Sequence, residues 1–468
     1  MIIQGGMGVG VSGWQLARAV SERGQLGVVA GTALATTLVR RLQLGDPGGF
    51  LRRALEAFPV PDVAQRICRK YFLAESRSAT LARHPLPALR MPRRLLELTV
   101  VANFVEVYLA REGHDGPVGL NLLEKVQLPT LASLFGAMLA GVDYVLMGAG
   151  IPRAIPGVLD KLSRRESVSL AIDVAGARAG ERWTTTLDPT DIVPESVSLL
   201  KRPRFLAIVS SDTLATTLAR KSSGQVDGFV IEGPSAGGHN APPRGPLKLT
   251  AAGEPVYGTR DEPDLDKIRS LGLPFWMAGS YGRPGKLTEA LALGASGVQV
   301  GTAFAFCEES GMRGDLKQRV LRRSREQRLQ VHTDALASPT GFPLKVVELA
   351  DTVSDSGVVA DRPKICDLGY LRQSYRRTDG TVGYRCPGEP EVEYLDKGGA
   401  RGDTIGRKCV CNGLLATVGL AQVQKRGYVE PPLVTAGEDA RIVAEFLPPG
   451  RDTYTAADVI QRLLGEHG

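Results

Sequence analysis

Histidine is scarce in this chain: five occur in 468 residues, so a lone one in a distinctive setting is informative. Long apolar runs are missing too. No stretch of about 18 consecutive apolar residues occurs, which argues against a membrane-spanning helix. Charge of one sign is barely in excess, with 57 Lys+Arg against 50 Asp+Glu and a net +7. The arginines come as scattered pairs (Arg40-Arg41, Arg52-Arg53, Arg93-Arg94, Arg322-Arg323) with acids between them. No basic block is interleaved with aromatics, so no nucleic-acid partner is expected. No repeat at a solenoid period is detectable. The sequence opens on Met1-Ile2-Ile3-Gln4-Gly5, directly on a strand pattern. No secretory leader is therefore expected, and the expected location is the cytoplasm.

Cysteine is sparse until late in the chain. Cys68 and Cys307 stand alone in apolar or helical surroundings and read as small hydrophobes. Cys366, Cys386, Cys409 and Cys411 fall close together. Without a secretory signal, disulfides are not expected. Cys409-x-Cys411 and the wide gaps before it lack the paired C-x₂₋₄-C spacing of zinc sites. The four read as buried free thiols, and no metal is assigned.

What is present is a βα pattern. The hydrophobic content of 43% supports a sizeable core. Short apolar runs at 2–4, 26–30, 118–122, 144–147, 168–174, 205–210, 228–231, 274–278 and 297–300 read as strands. Helical patterns lie between several of them. Near-continuous apolar strands alternating with helices predict a parallel sheet covered by helices. Nine strands exceed the eight of a closed barrel. The surplus is 168–174, which pairs as an inserted hairpin with Trp183-Thr184-Thr185-Thr186-Leu187. Residues from about 40 to 110 lack strand signals and read as an Arg-rich helical insertion.

The pattern changes after Thr302. A charged helix over 311–330 leads to turn-rich segments and then to the Cys-bearing region. Near the end, Thr455 with Asp458 three residues later forms a capping-box pattern, and Val459, Ile460, Leu463 and Leu464 give the following helix an apolar face. The expected fold class is α/β: a (β/α)₈ TIM barrel with a second, smaller C-terminal lobe inserted before the closing helix. The expected division is a barrel over 1–325 with insertions at about 40–110 and 168–194, a lobe over 326–435, and a return to the barrel over 436–468.

One motif stands out for chemistry. The strand at 228–231 runs into Glu232-Gly233-Pro234-Ser235-Ala236-Gly237-Gly238-His239-Asn240. A His at the C-terminal end of a barrel strand is where such folds keep their chemistry. Imidazole suits proton transfer because its ordinary pKa lies near neutrality. Glycines beside it let the backbone approach a flat ligand.

Gly8-Val9-Gly10-Val11-Ser12-Gly13 matches the dinucleotide fingerprint G-x-G-x-x-G. The next strand, however, ends Val28-Val29-Ala30-Gly31-Thr32, without the acid that would hold a ribose. A loop pressing its backbone on a flat ring fits better. Ala278-Gly279-Ser280 and Val300-Gly301-Thr302 end the last two barrel strands, where barrels place a phosphate. A phosphate-bearing cofactor follows.

Ile2-Ile3-Gln4-Gly5-Gly6-Met7-Gly8, Gly119-Leu120-Asn121-Leu122, Ala236-Gly237-Gly238-His239, Met277-Ala278-Gly279-Ser280 and Gln299-Val300-Gly301-Thr302 stand in an order that resembles nitronate monooxygenases. This family, once called 2-nitropropane dioxygenases, is similar to FMN-dependent enoyl-ACP reductases and trans-acting enoyl reductases. The resemblance covers roughly residues 1–35, 117–150 and 204–310, and looks closest to a long branch sharing Asn240-Ala241-Pro242-Pro243-Arg244. It implies FMN as cofactor. Gln4, Gly5, Gly6 and Met7 would line the flavin ring, together with Gly237 and Gly238. Asn121 would hydrogen-bond it, Gly279, Ser280, Gly301 and Thr302 would cradle the phosphate, Ser210 would touch the cofactor, and His239 would transfer the proton. Ser235 and the Pro242-Pro243 turn depart from shorter members, and the Cys-bearing lobe has no counterpart in them.

The implied activity is oxidation of a nitronate or related small carbanion with oxygen. The competing readings are an NAD(P)H-dependent enoyl thioester reductase and a flavin-binding scaffold without turnover. The expected partners are a small-molecule substrate and oxygen, with homo-oligomerisation left open and no membrane.

Overall fold

The computed structural model describes residues 1–74, 81–194 and 196–465. Of the stretches read from sequence, 75–80 of the helical insertion and 466–468 of the closing segment lie outside the described residues. Fifteen strands occur among the described residues: β1 (Ile2–Gln4), β2 (Gly27–Ala30), β3 (Val118–Leu123), β4 (Tyr144–Gly148), β5 (Val168–Ala171), β6 (Thr184–Leu187), β7 (Arg204–Val209), β8 (Gly228–Glu232), β9 (Gly238–His239), β10 (Phe275–Ala278), β11 (Gly297–Val300), β12 (Val331–Asp334), β13 (Leu344–Val347), β14 (Gln373–Arg376) and β15 (Val382–Arg385).

Eight of them form one parallel sheet in the order β1-β11-β10-β8-β7-β4-β3-β2. The ends of that order meet. Gln4 N–H donates to Leu26 O at 2.9 Å, and Leu26 N–H donates to Ile2 O at 3.0 Å. The sheet therefore closes into an eight-stranded TIM barrel. Ile3, Val28, Leu146, Leu206, Val230 and Trp276 fill its interior. Their neighbours Ile2, Val29, Val145, Phe205, Phe229, Ile231 and Val298 point outward under the helices. Both faces are buried, which is why these strands read as unbroken apolar runs.

The expected surplus strand is outside the barrel: β5 pairs antiparallel with β6, Val168 opposite Leu187. Its buried and exposed residues alternate, unlike those of the barrel strands. Helices Leu34–Gln43, Phe50–Glu56, Pro61–Tyr71 and Arg93–Arg111 occupy the strand-free stretch between β2 and β3. The last of these is mostly buried and packs on helix Thr130–Leu139 of the barrel's outer layer. Helix Ala456–Leu464 starts at a capping box, with Thr455 Oγ1 accepting from Asp458 N–H and the Asp458 carboxylate accepting from Thr455 N–H. It packs against helix Trp14–Ser21 and so completes the outer layer. Val459, Ile460 and Leu463 are buried there, whereas Leu464 faces outward.

A second apolar cluster joins Leu368, Tyr370, Leu371, Val410, Leu415, Leu420 and Leu433 to Val9, Ala33 and Val126. Val9 follows β1, Ala33 follows β2 and Val126 follows β3, so this cluster caps the C-terminal mouth of the barrel. No helix among the described residues is long and apolar enough to cross a membrane.

Candidate active site at the barrel mouth

A cavity of about 200 Å³ lies between that mouth and its cap. Barrel loops contribute Gly5, Gly6, Met7, Asn121, Glu232, Gly237, Gly238, His239, Gly279, Ser280, Gln299, Gly301 and Thr302. The cap contributes Tyr370, Leu371, Val410, Cys411 and Leu414, and the returning chain contributes Ala436, Gly437 and Asp439. Most residues singled out in the sequence thus meet at one place.

Two do not. Gln4 is fully buried beneath the loop it was expected to share. Its Nε2 donates to Ser12 Oγ at 2.9 Å and its Oε1 accepts from Val28 N–H at 2.9 Å. Ser12 Oγ in turn accepts from Met7 N–H. Gln4 therefore fixes the shape of the glycine loop from below. Ser210 lies at a smaller neighbouring cavity with Glu232, Arg244 and Tyr257.

Asn121, on β3, donates from Nδ2 to Gly6 O at 3.1 Å. A Cβ on Gly6 would stand 2.4 Å from Asn121 Cβ, so only glycine allows this approach. Asn121 Oδ1 and Gln299 Oε1 are buried without a hydrogen-bond partner. Such groups are costly to leave unpaired, and both residues border the cavity, so they mark where a ligand's polar edge belongs. Gln299 had no assigned role in the sequence. Its signal was an amide inside the apolar run Gly297-Val298-Gln299-Val300.

At the far side, Gly279 and Ser280 carry φ of +89° and +58°, which swings the chain after β10 around the cavity. Thr302 Oγ1 accepts from Gly437 N–H at 2.8 Å, tying the loop after β11 to the returning chain. Gly237, which lines the cavity, is also pressed by that same chain. A Cβ there would sit 2.5 Å from the carbonyl carbon of Ala436.

His239 is held by a strand that sequence reasoning did not find. β9 pairs antiparallel with β13, His239 opposite Leu344, and β13 pairs with β12. The histidine loop is thereby sewn into the three-stranded sheet β12-β13-β9. His239 Nε2 lies 2.7 Å from Ser338 Oγ, and Ser338 is fully buried. Nδ1 has no partner among the described residues. Enclosure by protein pushes the imidazole pKa down to about 4, so the ring is neutral at pH 7.

Glu232, at the C-terminal end of β8, was not singled out in the sequence. It borders both cavities, and its side chain makes no hydrogen bond or ion pair among the described residues. Burial without a partner pushes its carboxyl up to about 7. Two titratable groups with opposite shifts thus line one cavity, the arrangement expected where protons are handled.

Residues 188–339 match the nitronate monooxygenase family model. A protein of Staphylococcus saprophyticus described as a probable nitronate monooxygenase is 25% identical over 252 residues, covering 52% of this chain and 64% of that protein. A Bacillus subtilis protein of the same description is 33% identical over 139 residues, 30% of this chain and 37% of that protein. The matched segments thus span less than two thirds of these relatives. Among solved structures, FabK from Thermotoga maritima is 17% identical with a TM-score of 0.49, covering 99% of this chain and 91% of that one. Nitroalkane oxidase from Streptomyces ansochromogenes is 17% identical with a TM-score of 0.48, covering 99% and 94%.

Proposed function

For a barrel that belongs to the nitronate monooxygenase family, we propose that the cavity holds FMN and that the protein oxidises a nitronate or related small carbanion with oxygen. The carrying observation is the convergence of Gly5, Gly6, Met7, Asn121, Gly279, Ser280, Gly301, Thr302 and His239 on one cavity from separate stretches of chain. The residues fit the group. Asn121 and Gln299 present unpaired buried oxygens to a ring edge, and the Gly6 backbone leaves a flat surface beside them. Gly279, Ser280, Gly301 and Thr302 would hold the phosphate. When bound, FMN supplies the redox chemistry between substrate and oxygen.

The protein's own residues exclude water, orient the substrate and handle the proton. Tyr370, Leu371, Val410 and Leu414 close the cavity from above. With Nε2 engaged by Ser338, the His239 atom left for substrate is Nδ1. A ring whose pKa is about 4 accepts a carbon-bound proton poorly, but it stays neutral beside a bound anion. Glu232, near 7, is better matched to proton transfer at neutral pH. Protonated, it donates to an anionic oxygen; ionised, it takes a proton from a neutral nitroalkane. This division lets the site take a preformed nitronate directly and a neutral nitroalkane through Glu232.

The test is the visible spectrum of the purified protein, loaded with FMN and kept without oxygen. Propane-2-nitronate is expected to bleach the flavin band and NAD(P)H is not. No retained flavin after incubation would overturn the cofactor. Rapid bleaching by NAD(P)H followed by reoxidation with an enoyl thioester would turn the assignment to a reductase.

A further inference from the structure

The second lobe gathers four of the six cysteines around one small cavity beside the active site. Cys366 lies in a loop, Cys386 follows β15 directly, Cys409 is the N-cap of helix Val410–Thr417, and Cys411 is in its first turn. All four are free thiols.

Cys409 Sγ accepts from the Asn412 side-chain amide at 3.5 Å, a donor that a thiol packed as a small hydrophobe does not call for. Hydrogen bonds to sulfur spread the charge of a metal-bound thiolate, which gives such a donor a purpose.

Among the described residues, no three His, Cys, Asp or Glu side chains are arranged to hold a single ion. Four thiols that ring a common space without converging on one point suit a polynuclear centre, in which separate irons take separate thiolates. We infer that Cys366, Cys386, Cys409 and Cys411 are the ligands of an iron–sulfur cluster. Leu371, Val410 and Cys411 border this space and the active-site cavity alike, so the centre would brace the cavity's outer wall. The inference is independent of the flavin assignment.

The full chain should be produced with iron supplied, purified without oxygen, and assayed for iron, zinc and acid-labile sulfide. Electron paramagnetic resonance before and after dithionite reports a cluster separately from any flavin. Iron and sulfide are expected in equal amounts, at about two or more per chain, with a signal on reduction. Both should fall at least tenfold in Cys386→Ser and Cys409→Ser and persist in Cys68→Ser. Zinc without sulfide, a Cys366–Cys386 disulfide without iron, or no uptake on incubation with ferrous iron and sulfide would each overturn the inference. If a ligand variant does not fold, the metal and sulfide content of the unaltered protein decides between these outcomes.

Discussion

Changing Glu232 to Gln should stabilise the protein clearly at pH 8 and only slightly at pH 5. The folded-state carboxyl titrates at about 7, against an ordinary value of 4.5. Between these values the folded protein keeps a proton that the unfolded chain has released. Stability therefore falls as pH rises from about 4.5 through about 7 and stays reduced above that. At 1.36 kcal/mol per pH unit, the gap corresponds to about 3 kcal/mol. The carboxyl retains some access to water through the cavity, which brings the expected effect nearer to about 2 kcal/mol. Gln keeps the shape and cannot ionise. With about 2.1 cal/mol/K of unfolding entropy per residue, 1 kcal/mol is worth roughly 1 °C in a chain of this length. Calorimetry should show the variant melting about 2 °C higher at pH 8, with about a quarter of that difference at pH 5. His239 titrates with the opposite sign: its stability is present above 6.5 and is lost as pH falls towards 4. That contribution is common to both proteins and cancels in the comparison. An equal gain at both pH values, or a loss at pH 8, would refute the reasoning.

The same substitution should slow a neutral nitroalkane by about 10²–10⁴-fold and leave the nitronate near wild-type rates, whereas His239→Asn should slow both alike. Steady-state kinetics on the two substrates decide this, and the reverse pattern would return the proton to His239. Gly6→Ala should push Asn121 aside and weaken FMN binding at least tenfold in a fluorescence titration, with the circular dichroism spectrum unchanged. Unaltered affinity would exclude Gly6 from the flavin site. Arg362→Met should cost about 3–5 kcal/mol in a denaturant titration, because it leaves Glu430 charged and buried. In the native lobe, Arg362 Nε and Nη2 reach the two Glu430 oxygens at 2.8 and 3.0 Å. A cost below about 1 kcal/mol would mean that water relieves the carboxylate.

The barrel was legible because its strands are buried on both faces. The hairpin strand was set aside because nine candidates exceed eight and a Thr-rich partner follows it, and its alternating burial gives the physical reason; Thr455 with Asp458 fixed the start of the last helix. The site was legible in its backbone and less so in its side chains. Gln4 stands in the right loop but turns beneath it, a choice set by Ser12 and Val28 rather than by its neighbours in sequence. Gly237 was read as making room for a ligand, and it also makes room for Ala436, nearly two hundred residues away. Glu232 gave no signal because an acid at a strand end usually meets water. Here it borders two cavities, and its side chain meets no partner among the described residues. The cysteines hid for a similar reason: their spacing follows no paired pattern, and three separate segments bring them together.

The pairing of β9 with β13 has a consequence for how the molecule comes into being. His239 and Ser338 are 99 residues apart, and the stretch between them includes the last two barrel strands. On a ribosome, the barrel's strands emerge complete while His239 is still without its partner strand. The scaffold can therefore mature before the reactive centre does. Hydrogen exchange pulsed during refolding should find the amides around His239 protected later than those of β1 to β4. A chain cut after Arg325 would lose the partner strand of His239 together with the helix Ala456–Leu464 that completes the outer layer.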